Sequence, residues 1–337
     1  MSASQAPPRL AVALGLWQDR PPGEALATAL SADTLDVAEL WIGEMATYDA
    51  FALATAIGLT THHIPLTLGP LAVAVRDPMM TVMGAATVAH LTGRPTRIAL
   101  GTSSPVLVSQ WHGRARNRPA TGLAESATAL RSFLTTGTAD LDGKAVSTRG
   151  YRMRLPAPEN HLTLAAFGPA ALRVAARHAD RLVLALVTAP MAADLAACLG
   201  HHCRQGTRIP VAVWLPVAVT DGRQAEEAAL AQVRRMLVGY LAAPGYAEMF
   251  TAAGYGETVA FARTRPHPRE LLRAVPHDLV RAVSAIGDEP TVRDRLRDYA
   301  AVADQIALLP CATDHDPAGA RTLTALAGPG RPGGTGT

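Results

Sequence analysis

The sequence predicts an α/β fold of the (β/α)8 kind, a TIM barrel with insertions, and three observations predict it. Roughly eight short apolar runs recur along the 337 residues. Helical stretches separate them, with no meander between. The rival doubly wound open sheet expects a glycine-rich phosphate turn after its first strand, and this chain has Leu16-Trp17-Gln18-Asp19 there. A literal G-x-G-x-x-G does occur at Gly328, Gly330 and Gly333, but in a terminal tail with no strand before it.

Residues 10–16 are the first apolar run, closed by the turn Asp19-Arg20-Pro21-Pro22-Gly23, and residues 24–31 form an alanine-rich helix. Residues 38–43 are the second strand, ending in Glu44 and Met45, with a helix over 51–59. The third strand, 64–68, stops at Gly69-Pro70, and Pro78 opens a helix with Met79, Val82, Met83 and Ala86 on one face. Ile98, Ala99 and Leu100 offer no polar alternation and read as a buried fourth strand, cut off by Gly101-Thr102-Ser103-Ser104-Pro105. Leu123, Ala127, Leu130 and Leu134 keep a helical stripe, and residues 142–155 read as a surface excursion with weak strands. The fifth strand, 162–166, runs into Phe167-Gly168-Pro169 and a helix. Residues 181–187 are the sixth strand, followed by a helix over 189–199 that ends near Gly200. Residues 209–219 are the seventh, a long helical region extends to about Ala303, and residues 305–309 are the eighth. One barrel domain over residues 1–327 is expected, with 328–337 a disordered Gly/Pro tail.

Composition excludes several classes. Hydrophobic residues at 49% and charged residues at 18% describe a globular chain. Residues 1–9 lack an apolar h-region, and runs such as 211–219 are too short to span a bilayer, so a cytoplasmic protein away from membranes is expected. Three cysteines fit a reducing compartment, and the spacing of Cys198, His201, His202 and Cys203 matches no common zinc site, so no metal is expected. A net charge of +3 argues against nucleic acid as a partner. Lys144 is the only lysine, so an anion bound here meets arginine forks.

In a barrel the chemistry sits at the C-terminal ends of the strands. Those ends are poor in acids, bases and nucleophiles. There is no Gly-x-Ser-x-Gly, no paired carboxylate at the strand ends and no His-x-x-x-His on a helix. Small apolar strand ends suit a large flat cofactor that brings its own chemistry. Phe167-Gly168-Pro169 at a helix start suits a phosphate, and reads equally as an ordinary turn.

Residues 10 to about 326 resemble the luciferase-like family of flavin- and deazaflavin-dependent enzymes, most closely its actinobacterial coenzyme F420-dependent oxidoreductases. The resemblance rests on Leu40-Trp41-Ile42-Gly43-Glu44, Leu68-Gly69-Pro70 with Arg76-Asp77-Pro78, and Leu91-Thr92-Gly93-Arg94. It continues through Leu100 to Pro105 with Trp111-His112-Gly113-Arg114, through Ala165 to Pro169, and through Gly287-Asp288, Arg295-Leu296 and Tyr299. It implies a bacterial-luciferase-like barrel that holds F420, or FMN as the alternative cofactor, at its C-terminal mouth. A bulge with a cis peptide would back the ring at Leu68, Gly69 and Pro70. The cofactor's polar side would meet Gly101, Thr102 and Ser103, and its phosphate Ala166, Phe167, Gly168 and Pro169. A homodimer is also implied.

Two departures narrow the activity. Many relatives carry histidine where this chain has Met45, and the family's sugar-phosphate dehydrogenases carry glutamate where Ser104 aligns. What remains is an F420-dependent oxidoreductase, a reductase delivering hydride from F420H2 to a C=C, C=N or C=O bond of a small-molecule substrate or biosynthetic intermediate. An FMN-dependent monooxygenase and a non-catalytic flavin-binding member are the alternatives. The proton donor is expected to be Glu44, with His112 second, against an ion pair at the rim for Glu44 and loop packing for His112. Arg114, Arg116 and Arg118 crowd the loop after the fourth strand, where they would attract the cofactor's anionic groups. Residues 140–155 and 244–276 are expected to cover the mouth, with Tyr246, Phe250, Tyr255, Phe261, Arg263 and His267 forming a partly apolar pocket.

Overall fold

Eight parallel strands close on themselves. The computed structural model describes residues 8–15, 17–44 and 47–328, so Leu16, Met45 and the tail beyond Gly328 lie outside the described residues. The strands are β1 (Arg9–Ala13), β2 (Leu40–Ile42), β3 (Leu66–Ala72), β4 (Thr96–Gly101), β5 (Leu162–Ala165), β6 (Arg181–Ala185), β7 (Val211–Val219) and β8 (Gln305–Pro310). Each pairs with its neighbours in sequence, and β1 pairs with β8 to complete the ring. Helices α1 (Glu24–Thr34), α2 (Ala50–Thr60), α3 (Pro78–Thr92), α4 (Pro119–Thr136), α5 (Pro169–His178) and α6 (Ala189–His202) follow β1 to β6 in turn. This is the α/β barrel that the alternating pattern predicts.

Local chemistry starts the helices. Asp49 accepts the Phe51 and Ala52 N–H groups at the head of α2, and Asp77 accepts that of Met80 at the head of α3, where Pro78 gives up no donor. Gly93 ends α3 in the left-handed conformation at φ 66°.

Side chains alternate along every strand, as a closed barrel requires. Leu40, Ile42, Leu66, Leu68, Ile98, Leu100, Leu164 and Leu182 point outward and are buried under the helices. Ala11, Ala13, Trp41, Ala99, Val183, Ala212, Ala307 and Leu309 point inward and fill the barrel. The inward set is mostly alanine because two indoles take the space. Trp41 and Trp214 meet edge to face, ring centroids 5.6 Å apart.

Below them lies a buried polar floor. Glu39, fully buried, accepts hydrogen bonds from Arg181 and, at 3.1 Å, from Arg97. Thr67 Oγ1 donates to it at 2.7 Å. Arg181 also reaches Thr163 and Gln305 and lies 4.3 Å over the Trp41 ring.

The structure differs from the sequence reading in four places. β3 does not end at Leu68; it continues to Ala72 through a register shift between Leu68 and Leu71. α6 does not end at Gly200 but runs to His202, since a helix accepts glycine without breaking. The long helical region after β7 is divided: a helix over Arg223–Val238 (α7), then short helices from Tyr246–Phe250 to His277–Ala282. A three-residue strand, Ala285–Gly287, then pairs with β7 before the helix Glu289–Ala300 (α8). The excursion after α4 does hold the weak strands the sequence suggests, paired as a hairpin, Leu141–Asp142 with Ser147–Thr148. No helix among the described residues is long and apolar enough to cross a membrane.

Candidate cofactor site at the barrel mouth

The inward positions nearest the C-terminal mouth are unequal around the ring. From β2 to β6 they are Gly43, Gly69, Gly101, Ala165 and Ala185, which by the alternation face the axis. On the opposite side stand Trp214 of β7, Leu309 of β8 and Trp17 in the loop after β1, where its ring covers Gly15, all packed against the barrel interior together with Met236 of α7. One arc is therefore a shallow cradle of backbone and the opposite arc is an apolar wall. A Cβ on Gly43 would touch the Trp214 ring at 3.4 Å, which places the indole across the axis from β2.

β3 supplies the sharpest feature. The Gly69–Pro70 peptide is cis and Gly69 has φ +116°, where a Cβ would lie 2.2 Å from the Ala99 carbonyl oxygen. Only glycine permits that approach. Pro70 then sits 3.4 Å from where a Gly101 Cβ would be, and the Ala165 Cβ is 3.5 Å away on the other side. Leu68, Gly69, Pro70 and Gly101 are thus brought together. The Leu68 and Ala166 side chains belong to the outer layer under the helices, so both offer only main chain to the mouth.

After β4 the chain turns at Ser103, φ 54°. Arg116 holds this turn, donating to the Ser103 carbonyl from Nε at 3.1 Å and Nη2 at 2.9 Å, and to Thr102 Oγ1 at 3.3 Å. Ser104 is spent locally, its Oγ accepting the Leu107 N–H at 3.2 Å. The next residues wind into a π-helical turn, Val106–Trp111, and His112 beyond it is exposed.

After β5, Gly168 precedes α5 with no side-chain cap. The Ala170 and Ala171 amides of its first turn point out with the positive end of the helix dipole, since Pro169 has no N–H to offer. Phe167 packs on Tyr246, centroids 4.3 Å apart, and Tyr246 on Tyr240 at 4.9 Å. Burial pushes both phenols above their ordinary pKa, Tyr246 strongly. Of the six residues expected to line a pocket, Tyr246 and Phe250 reach this cluster. Tyr255 instead bonds Asp278, Arg263 pairs with Glu248, His267 caps a short helix and Phe261 is exposed.

Glu44 follows β2. Arg76 donates to its carboxylate from Nε, at 3.0 Å, and from Nη2, and the Ala50 N–H adds a third bond at 3.2 Å. Arg76 also reaches Asp49. The carboxylate thus ties the end of β2 to the heads of α2 and α3. Glu44 and His112 are not brought into contact with one another by any hydrogen bond among the described residues.

Sequence reasoning missed Trp214, Met236 and Tyr240. Trp214 was findable, as the one aromatic in the 211–219 run at an inward position. Its Nε1, like that of Trp41, is buried with no hydrogen-bond partner among the described residues. A group with polar edge atoms lying in the cradle would answer such a donor, and a flat ring system fits the glycine arc. The residues present therefore fit a flavin-type cofactor. A separate cavity, of about 210 Å³, opens beside the ends of β1 and β8, lined by Gly15, Trp17, Tyr48 and Pro310.

The luciferase-like monooxygenase family model matches residues 4–305. The chain belongs to that family. A Mycobacterium tuberculosis protein, provisionally named as a coenzyme F420-dependent oxidoreductase, is 26% identical over 86% of this chain and 90% of its own length. Among solved structures, the coenzyme F420-dependent tetrahydromethanopterin reductase of Methanopyrus kandleri superposes with a TM-score of 0.77 at 18% identity, covering 96% of this chain and 98% of that one. An F420-dependent secondary alcohol dehydrogenase, in complex with an F420–acetone adduct, gives 0.76 at 14% identity over 96% and 100%. Monooxygenase structures, one with FMN bound, match at TM-scores of 0.61 to 0.67. At such identities the structures bear on the fold alone. The oxidoreductase class comes from membership of the luciferase-like family.

Proposed function

We propose that this luciferase-like protein is an F420-dependent reductase acting on a C=C, C=N or C=O bond of a small molecule. The observation that carries the reading is the glycine and alanine arc from Gly43 to Ala185, backed by the kinked Gly69–Pro70 and faced by Trp17 and Trp214. The preference for deazaflavin over flavin is supported by the mycobacterial relative and the two F420-dependent fold neighbours. When bound, F420H2 supplies the hydride. Leu68, Gly69 and Pro70 back the ring through their main chain. Gly101, Thr102 and Ser103 meet its polar edge, and the turn from Ala166 to Pro169 takes the phosphate on the free amides of α5. Trp214 and Met236 keep water from the face where substrate sits. Glu44 anchors the rim through Arg76, and His112 carries the proton from solvent. The same reading takes the enzyme to be a cytoplasmic homodimer, which light scattering on the purified chain tests for mass.

An FMN-dependent monooxygenase is the second reading, favoured by the FMN-bound fold neighbour. Titration with F420 and with FMN, followed by cofactor oxidation under air and under nitrogen, separates the two. Deazaflavin binding, with oxidation that needs an added acceptor and no oxygen, is the expected result. Tight FMN binding with oxygen uptake overturns it.

A further inference from the structure

Trp17 belongs to two places at once. It packs into the barrel interior, as Trp214 and Met236 do, and it is also a wall of the cavity of about 210 Å³ beside the ends of β1 and β8. That cavity lies outside the ring of strands. Leu14 in its lining belongs to the layer beneath the helices, and Ala25 and Thr28 of α1 form its outer side. The indole is fixed in position: its Nε1 donates to the Pro310 carbonyl oxygen at 2.9 Å, and the ring lies so close over Gly15 that a Cβ there would meet it at 2.2 Å.

The polar groups around this cavity are already engaged. The Tyr48 hydroxyl donates to the Pro22 carbonyl oxygen and Thr28 Oγ1 to that of Ala318, both at 2.8 Å. Arg20 is held between two acids, by Glu24 at 3.1 and 2.6 Å and by Asp314 at 2.6 Å. A carboxylate entering here would find one cation doubly answered and two carboxylates beside it, and would leave water with nothing in return. What Leu14, Trp17, Pro21, Pro22 and Ala25 offer instead is carbon. The same bonds pin the loop after β1 to α1 and to the end of β8, so the cavity is preformed.

Size and position give it a use. A dry cavity of about 150 Å³ holds a benzene ring, whereas a site for a whole small molecule starts at roughly 300 Å³. At about 210 Å³ there is room for one carbon ring and a small substituent. The loop after β2 joins this space to the mouth: Gly43 faces the axis, and Thr47 and Tyr48 a few residues on line the cavity. The Leu14 N–H bonds the Trp41 carbonyl oxygen at 3.0 Å, which keeps the ends of β1 and β2 side by side. We propose that this cavity is a subsite for the uncharged, apolar end of the substrate, up to the size of a six-membered carbon ring, with Trp17 as the wall that divides it from the cradle. The inference rests on the reductase reading, which puts the reacting bond over the cradle, and adds the class of group that the substrate carries beyond it.

The test titrates the full chain, with and without F420, with 4-phenylbut-3-en-2-one, a neutral enone ending in a phenyl ring, and with the same enone carrying a carboxylate on that ring. Binding is read by saturation-transfer NMR, which needs no turnover. The neutral enone is expected to bind about tenfold tighter than the charged one. Ala25→Phe fills the cavity from α1, and is expected to weaken the neutral enone about tenfold while leaving F420 affinity unchanged. Equal binding of the two enones, binding of neither, or an Ala25→Phe affinity equal to that of the wild type overturns the subsite. Should Ala25→Phe fail to fold, the comparison of the two enones on the wild type decides alone. F420 affinity, followed by cofactor fluorescence in the same samples, reports separately: a chain that ignores F420 overturns the deazaflavin reading, while the pair of enones still decides the subsite.

Discussion

Two glycines at the mouth differ in what they do, and substitution separates the roles. Gly69 is required by the fold: at φ +116°, with the Ala99 carbonyl oxygen 2.2 Å from where a methyl group would stand, alanine has nowhere to go. Gly69→Ala is expected to cost more than about 2 kcal/mol in urea unfolding. Gly101 is not required by the fold, since its Cβ would find ordinary contacts at 3.4 and 3.5 Å and a strand favours a β-branched residue; under the proposed function it is the ligand that requires it. Gly101→Val is expected to keep the wild-type urea midpoint while its γ-methyl groups fill the cradle and lower cofactor affinity by more than about tenfold. Loss of stability in Gly101→Val equal to that of Gly69→Ala would contradict the division. Both glycines were legible, because glycine and proline interrupt an apolar run visibly. Trp214 was within reach as the one aromatic in the nine-residue apolar run of β7, although such a run does not itself announce which alternate face looks inward.

At the scale of elements, the rim depends on contacts between the end of one strand and the start of the next helices. Glu44 and Arg76 are 32 residues apart and join β2 to α3, with side chains only 17% and 20% exposed. A pair this sheltered lies between the surface and buried cases, so Glu44→Gln is expected to cost about 1 kcal/mol. Because the anchor acts on binding geometry, cofactor affinity is expected to fall while kcat at saturation stays within about threefold. A kcat loss of about a hundredfold or more with unchanged affinity would make Glu44 the proton donor instead, the role its position at a strand end first suggests. The barrel elements were legible because each apolar run is bracketed by turn residues. The segment between α7 and β8 was not: its helices from Tyr246 to Ala282 run five to eight residues, shorter than a helical period needs to declare itself, and its strand spans three.

At the scale of the whole molecule, one carboxylate closes the bottom of the barrel. Glu39 precedes β2 and accepts from Thr67 on β3, Arg97 on β4 and Arg181 on β6, while Arg181 goes on to Thr163 on β5 and Gln305 on β8. Six of the eight strands thus meet in one buried network. Glu39 and Arg181 are 142 residues apart, and nothing in the sequence joins them, which is why the mouth could be read from the chain and the floor could not. Burial by itself raises the Glu39 pKa, but the charges of Arg181 and Arg97 and the Thr67 hydroxyl outweigh it, so the folded value lies below the ordinary 4.5. A carboxylate with a lowered folded pKa stabilises the fold above its unfolded value and loses that contribution as pH falls through the folded one. Removing the charge leaves Arg181 buried and unanswered, so Glu39→Gln is expected to destabilise by about 3 to 5 kcal/mol at pH 7. The gap between wild type and variant in urea unfolding should hold above the ordinary glutamate range and narrow below it, as the wild-type carboxylate takes up its proton. A gap that stays constant from neutral to acid pH would mean that Glu39 holds the six strands by shape and not by charge.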